Sequence, residues 1–447
     1  MSQTIAAIAT PPGEGGIAVI RISGKEAISI AASIFSGPVT TYKSHTCHFG
    51  QVLDGNEVID EALIIVMRAP RSYTGEDTVE IQCHGGSLIS KRVLEVTLKA
   101  GAKAAGPGAF THQAFMNGKL DLAQAEAVQS FIGAKNELSL QASRQQLSGK
   151  LSVCIQELQK ELLDIAAILE AWVDFPEEGL EFASQEEVVS ALENTLKKMG
   201  HLAETFHEGK KIQEGVTLCL CGSPNAGKSS LMNALLGQER AIVTHIAGTT
   251  RDTLEAEMRL GGLHFHLLDT AGIRETEEIV EQEGIRRSKL AMQSADLILL
   301  IIDASAPLSP EDRQLLSSCP AEKTLVIWNK IDLPHTIADL PFPHQASISA
   351  KEKKGIDEVK KGIENIVWKG SISPKDEVVL TQARHKESLT NAAKALQTLI
   401  DGLKTDISPE FLAADMRNSL KHLGAIIGMD ITEDILSAIF SKFCVGK

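Results

Sequence analysis

Apolar positions along the chain change period more than once, and each change predicts a different kind of element. After the rigid turn cluster Pro11-Pro12-Gly13-Glu14-Gly15-Gly16, the run from Ile17 to Gly24 reads as a strand. Because a strand and not a helix follows, those glycines do not make a phosphate loop. Leu63 to Met67 and Thr78 to Cys83 are further predicted strands. Val79 and Ile81 alternate with Glu80 and Gln82, which sets Glu80 on the polar face. His84-Gly85-Gly86 breaks the strand, and Ser87 to Leu98 carries helical spacing. From Leu120 the period is helical. Leu122, Ala125, Val128 and Ile132 share a face. Leu151, Ile155, Leu158, Leu162, Ile165, Leu169 and Trp172 then step by fours and threes, predicting a long helix packed on other helices. Asp174-Phe175-Pro176-Glu177-Glu178 ends it, and another helix is predicted from Gln185 to about Glu208.

A third regime begins at Gly215. Val216 to Cys221 is a short apolar run, and Leu263, Phe265 and Leu267 alternate. Leu297 to Ile302 and Thr324 to Trp328 read as buried parallel strands. Beyond Lys369-Gly370-Ser371-Ile372-Ser373-Pro374 helical spacing returns, with a helix predicted over Thr381 to Leu403. Ser408 as N-cap and Pro409 at N1 open a second helix; Thr432 caps a third, with Glu433 and Asp434 in its first turn. The pattern predicts a multidomain chain, α/β plus all-α. Residues 1–118 form an N-terminal α+β domain, and 119–214 with 371–447 one helical domain from two segments. Residues 215–370 form a Ras-like α/β domain inserted within it.

Bulk properties narrow the classes. The chain has 447 residues, 43% hydrophobic and only 4% aromatic, so it folds around a mostly aliphatic core. A net charge of −14 argues against indiscriminate polyanion binding but allows a local basic face. The seven cysteines form no C-x-x-C pair, which disfavours a structural zinc site and suits a reducing cytoplasm. Cys219 and Cys221 are expected on one buried strand face. No signal peptide is read, and the longest apolar run is too short to span a bilayer.

The chemistry centres on Gly222-Ser223-Pro224-Asn225-Ala226-Gly227-Lys228-Ser229, a G-x-x-x-x-G-K-[S/T] loop between an expected strand and an expected helix over Ser230 to Leu236, with Gly237 as C-cap. Backbone N–H groups there wrap phosphates, Lys228 reaches the β- and γ-phosphates, and Ser229 ligates Mg2+. Thr244-His245-Ile246-Ala247-Gly248-Thr249-Thr250 lies where a first switch loop belongs, with Thr250 as second magnesium hydroxyl. Asp269-Thr270-Ala271-Gly272 follows a strand; Asp269 holds the magnesium shell and the Gly272 amide senses the γ-phosphate. Asn329-Lys330-Ile331-Asp332 is an N-K-x-D motif whose Asp332 accepts from the guanine edge, and Ser349-Ala350-Lys351 completes the base pocket. Together these predict a GTP site. Ile273 stands where Ras-like proteins carry a water-orienting glutamine. Arg251, Arg274, Glu277, Glu278 and Glu281 are the nearby candidates for that task.

Further stretches stand out: Thr10-Pro11-Pro12-Gly13 through Arg21-Ile22-Ser23-Gly24, Tyr73-Thr74-Gly75-Glu76-Asp77, Asn117 to Leu122, Asp174 to Glu178 and Phe443-Cys444-Val445-Gly446-Lys447. Through these and the GTP motifs the chain resembles, over its full length, the tRNA modification GTPase MnmE (TrmE) family. It implies a homodimer formed through the N-terminal domain, which binds 5-formyl-tetrahydrofolate or another one-carbon tetrahydrofolate. Arg21, Glu80, Lys119 and Lys447 match the folate-contacting positions. It implies a heterotetramer with the FAD-dependent MnmG (GidA), acting on tRNA in the cytoplasm with no membrane. The product implied is an aminomethyl or carboxymethylaminomethyl group at C5 of the wobble uridine. It also implies K+ activation: Asn225, Thr244, Ile246 and Thr249 match the ion-binding loop, and Glu281 matches the residue that orients the attacking water, with Arg274 a lesser catalytic candidate. Cys444 has two readings, a catalytic thiol or one that shapes the pocket; Gly446 and Lys447 make it a poor prenylation site. The competing reading is a regulatory GTPase module in ribosome or ribonucleoprotein assembly. A folate-binding dimer has no obvious use there, and no KH-type segment is found.

Overall fold

The computed structural model describes residues 3–174, 184–236, 256–268, 291–368, 378–405, 407–429 and 431–446. They fall into two compact units: residues 1–132, 144–199 and 387–447 make the first, and 133–143 with 200–386 the second.

The first unit holds strands β1 (Ile5–Ile8), β2 (Ile17–Ser23), β3 (Thr46–Asp54), β4 (Glu57–Met67), β5 (Thr78–His84) and β6 (Lys103–Ala104), in the order β3-β4-β5-β2-β1-β6. Only the β1–β6 pair is parallel. Ile20, Ile22, Val79 and Ile81 point into one core with the helices Ala27–Ile34 and Ser87–Lys99. The alternation read from the sequence therefore holds, and register does the rest. β2 and β5 pair with Arg21 directly opposite Glu80, both on the other face. Cross-strand neighbours on one face sit close enough for opposite charges to bond.

The predicted long helix runs Lys150–Asp174, and its seam from Leu151 through Leu169 is buried. Each of those six side chains contributes about 2 kcal/mol through burial. Three local expectations change. In the helix Leu122–Ile132 the buried face stops short, since Ile132 in the last turn is 49% exposed. The helix expected to about Glu208 ends at Glu204, and a new one runs Phe206–Glu214. At the break the Thr205 hydroxyl donates to the Leu202 carbonyl at 2.7 Å and accepts from the Leu380 amide at 3.1 Å. Its side chain thus serves a neighbouring segment. Ser408 and Thr432 do precede the helices Pro409–Ile427 and Glu433–Phe440, but neither side chain caps the helix amides. The Ser408 hydroxyl instead bonds the Glu410 carboxylate and holds its pKa below the usual value.

The second unit holds β7 (Val216–Cys221), β8 (Ala256–Leu260), β9 (Leu263–Leu268), β10 (Leu297–Asp303), β11 (Thr324–Asn329) and β12 (Gln345–Ser347). Their order is β12-β11-β10-β7-β9-β8, all parallel except the edge strand β8. β10 and β11 are continuous apolar runs because both their faces are covered. Cys219 and Cys221 share one face as expected, buried with their sulfurs 3.2 Å apart. This is a Ras-like sheet, and in such sheets ligands sit beyond the carboxyl ends of the strands. Among the described residues, no helix is long and apolar enough to cross a membrane.

Candidate functional site

Three loops at the carboxyl ends of β7, β11 and β12 come together. Gly222 leaves β7 with φ +150°, and a Cβ there would lie 2.4 Å from the Ile301 carbonyl oxygen. Asn225 follows at φ +62°, exposed, a left-handed conformation that Asn tolerates better than most residues. Gly227 has φ +101°, and a Cβ there would lie 2.1 Å from Asn329 Nδ2. The helix Lys228–Leu236 starts at once, so its first amides face the loop. Lys228 folds back: its Nζ donates to the carbonyls of Gly222 at 2.8 Å and Ser223 at 2.9 Å. Burial holds its pKa below the ordinary lysine value. Ser229 and Ser230 are exposed in the first turn, and Ala226 is buried.

Asn329, the last residue of β11, is the keystone. Its Nδ2 donates to the Ala226 carbonyl at 2.8 Å, and its Oδ1 accepts from the Ala350 amide at 3.0 Å. One buried carboxamide thereby spends its donor on the glycine loop and its acceptor on the Ser349-Ala350-Lys351 loop. The N-K-x-D motif places Asn329 at the expected base pocket and gives no sign of this tie. Its only signal was an Asn ending an otherwise apolar strand. Lys330, at φ +68°, turns its ammonium onto the Asp303 carboxylate at 2.5 Å, a second partnership that the motif did not reveal. Asp332 is exposed and keeps a low pKa, chiefly through a hydrogen bond from the Ser349 side chain. Ser349 is buried and also accepts from the Glu352 amide at 3.1 Å, whereas Lys351 is exposed. The assembly thus offers anion-binding amides and a lysine on one side, and an acceptor-only carboxylate on the other.

Thr244, His245, Ile246, Ala247, Gly248, Thr249, Thr250, Asp269, Thr270, Ala271, Gly272, Arg274, Glu281 and Lys447 lie outside the described residues.

A second cluster lies in the first unit. Arg21 Nε and Nη2 approach Glu80 Oε1 at 2.8 and 2.7 Å. Arg21 Nη1 donates to the Gly446 carbonyl at 3.2 Å, and its guanidinium lies 5.6 Å from the Phe110 ring centroid. Val445 bridges to Pro107, and the Gly108 amide donates to the Cys444 carbonyl at 3.3 Å. The chain's last described residues are therefore seated beside Arg21. Cys444 itself is exposed. Lys119 Nζ donates to the Pro70 carbonyl at 3.3 Å, and Asn117 Nδ2 to the Thr74 carbonyl at 2.8 Å. Tyr73 joins this region through Thr111 at 2.9 Å, and burial pushes its phenol pKa up.

Residues 4–119 match the family described as GTP-binding protein TrmE N-terminus, and residues 122–444 the MnmE helical domain. The tRNA modification GTPase MnmE of Protochlamydia amoebophila (strain UWE25) is 58% identical over 447 residues, covering 100% of this chain and 98% of that protein. The tRNA modification GTPase MnmE of Moorella thermoacetica (strain ATCC 39073 / JCM 9320) is 45% identical over 464 residues, covering 100% of each. Among solved structures, the G domain of the T. maritima FeoB iron transporter is 26% identical, covering 34% of this chain and 98% of that one with a TM-score of 0.26.

Proposed function

The chain belongs to the tRNA modification GTPase MnmE family, and from that premise we propose that it is a potassium-activated GTPase of tRNA modification. With the FAD-dependent MnmG it adds an aminomethyl or carboxymethylaminomethyl group at C5 of the wobble uridine, using a folate one-carbon unit. It works as a homodimer within a heterotetramer in the cytoplasm. The observation that carries this reading is that the N-terminal and helical segments, and not the GTP motifs alone, match the family.

The donor set fits a nucleotide. Gly222 and Gly227 keep the loop backbone clear of any Cβ, and the Lys228 ammonium is held beside the loop carbonyls ready to turn outward. Lys228 would meet the β- and γ-phosphates. Ser229 and Thr250 would hold Mg2+, with Asp269 in its outer shell. Asp332 would select guanine, since adenine leaves its carboxylate unpaired. Asn225 is exposed on a left-handed turn, and its side-chain oxygen would hold a monovalent cation together with Thr244, Ile246 and Thr249. When bound, such an ion supplies fixed positive charge to the developing charge on the β–γ bridge. Glu281 would orient the attacking water through a second water, a task Ile273 cannot perform. Arg21, Glu80, Lys119 and Lys447 would hold the folate. Arg21 and Glu80 supply a paired donor and acceptor there, and Cys444 stays exposed beside them.

Two measurements test the reading. GTP turnover is expected to be far higher in potassium than in sodium; equal rates remove the cation mechanism. A nucleoside digest of tRNA from a strain lacking the gene is expected to lack the wobble-uridine side chain; an unchanged digest removes the modification role.

A further inference from the structure

Away from both clusters, the edge hairpin of β8 and β9 gathers three metal-binding side chains on one face. Glu257 stands directly opposite His266, and His264 lies two residues before His266 on the same side of the strand. One ligand atom from each of the three lies within 4.8 Å of the others. His264 Nε2 is 3.4 Å from Glu257 Oε2, and His266 Nδ1 is 3.7 Å from Glu257 Oε1.

Two details separate this group from an ordinary polar surface. His264 is only 4% exposed, its Nδ1 has no hydrogen-bond partner, and its Nε2 meets only the Glu257 carboxylate, at 3.4 Å. A buried, unsatisfied imidazole is costly and uncommon, and ligation would remove that cost. His266 is already oriented as a ligand. Its Nε2 lies 3.0 Å from the Glu214 carbonyl oxygen. A carbonyl can only accept, so Nε2 donates there, and in the neutral ring Nδ1, on the side of Glu257, is the nitrogen left to ligate. A ligating histidine held by its other N–H in this way is the usual outer-shell arrangement of metal sites.

We propose that Glu257, His264 and His266 bind one divalent transition-metal ion of the zinc class. Ligands at zinc distances in a tetrahedron stand about 3.4 Å apart, so side chains whose ligand atoms already lie within 4.8 Å of one another need only small rotations to close on one ion. Two imidazoles and a carboxylate suit such an ion and not magnesium or calcium, which take oxygen donors. Water fills the fourth position. Lys135 is the built-in competitor: its Nζ lies 2.8 Å from Glu257 Oε1, and at 53% side-chain exposure it is free to swing away. In sequence, β8 follows the Thr244–Thr250 segment and β9 ends one residue before Asp269, so the ion would sit on the strands that follow the predicted first switch loop and lead into Asp269-Thr270-Ala271-Gly272.

The test uses the full-length, nucleotide-free chain and cobalt(II) as probe. One equivalent is expected to give the intense visible bands of tetrahedral cobalt, displaced by zinc and untouched by magnesium. Glu257→Gln is expected to weaken cobalt binding by about tenfold or more. Lys135→Met, at a side chain 53% exposed, is expected to tighten it severalfold by removing a competing cation. Zinc is also expected to raise the melting temperature of the wild-type chain and not of Glu257→Gln. Octahedral spectra, bands that persist in Glu257→Gln, or an affinity unmoved by Lys135→Met would each overturn the site.

Discussion

The side-chain amide of Asn329 donates to the Ala226 carbonyl at 2.8 Å, joining positions 103 residues apart. Because the same side chain accepts from Ala350 at 3.0 Å, it ties the Gly222–Ser229 loop to the Ser349–Lys351 loop, the proposed phosphate and base sites. Replacing Asn329 with Ala leaves a buried carbonyl and a buried amide without partners. The expected cost is about 2–3 kcal/mol of stability. GDP and GTP should also bind more weakly, although Asn329 need not touch either. Urea unfolding and titration with a fluorescent nucleotide check this, and unchanged affinity would mean that the tie is incidental.

Gly227→Ala attacks the same contact from the other side. The residue sits at φ +101°, and the new Cβ would lie 2.1 Å from Asn329 Nδ2. Backbone strain alone costs about 1–3 kcal/mol. Part of the damage should vanish when Asn329 is already Ala, because the clashing atom is gone. A double-mutant cycle on nucleotide affinity measures that coupling, and simple additivity would refute it.

Arg21→Met breaks the pair with Glu80 and releases the Gly446 carbonyl. The side chains of Arg21 and Glu80 are 20% and 19% exposed, between surface and interior, so the expected loss is about 1–2 kcal/mol. The more specific readout is local. The Gly108 amide, which donates to the Cys444 carbonyl, should exchange with deuterium faster while the amides of β4 do not change. If the proposed folate role holds, 5-formyl-tetrahydrofolate binding falls in the same variant.

Acid sensitivity has an identifiable contributor in the helical part. Glu161 has a pKa held below its ordinary value of 4.5, first by the hydrogen bond from Lys198, which outweighs the upward push of burial, and further by Thr195. A carboxylate with a depressed folded pKa contributes stability above its unfolded pKa and loses it as pH falls through the folded one. The contribution is therefore full at neutral pH and fades below about pH 4.5. It is small, because the Glu161 and Lys198 side chains are 37% and 47% exposed and screened by solvent. Glu161→Gln should flatten the acid limb of stability against pH. An identical limb in the variant, read by urea unfolding at several pH values, would assign the acid loss to other groups.

Much of the molecule is legible in its one-dimensional pattern, because helix and strand periods depend on near neighbours. β7 runs Val216–Cys221 as its apolar run implies, the seam from Leu151 to Leu169 is buried, and the glycine loop sits between a strand and a helix. The G-x-x-x-x-G-K-S and N-K-x-D motifs are equally readable as patterns, since they are fixed residue types at fixed spacings. What the tertiary structure alone decided are the contacts made across long stretches of chain. Arg21 meets Glu80 because β2 and β5 pair in one register, and a slip of one residue would part them. Asn329 turns inward to the glycine loop, Thr205 at a helix break accepts from the Leu380 amide, and His264 is buried against Glu257. Local propensity carries no trace of such pairings, because each partner's gain exists only once the other has been brought to it by the fold.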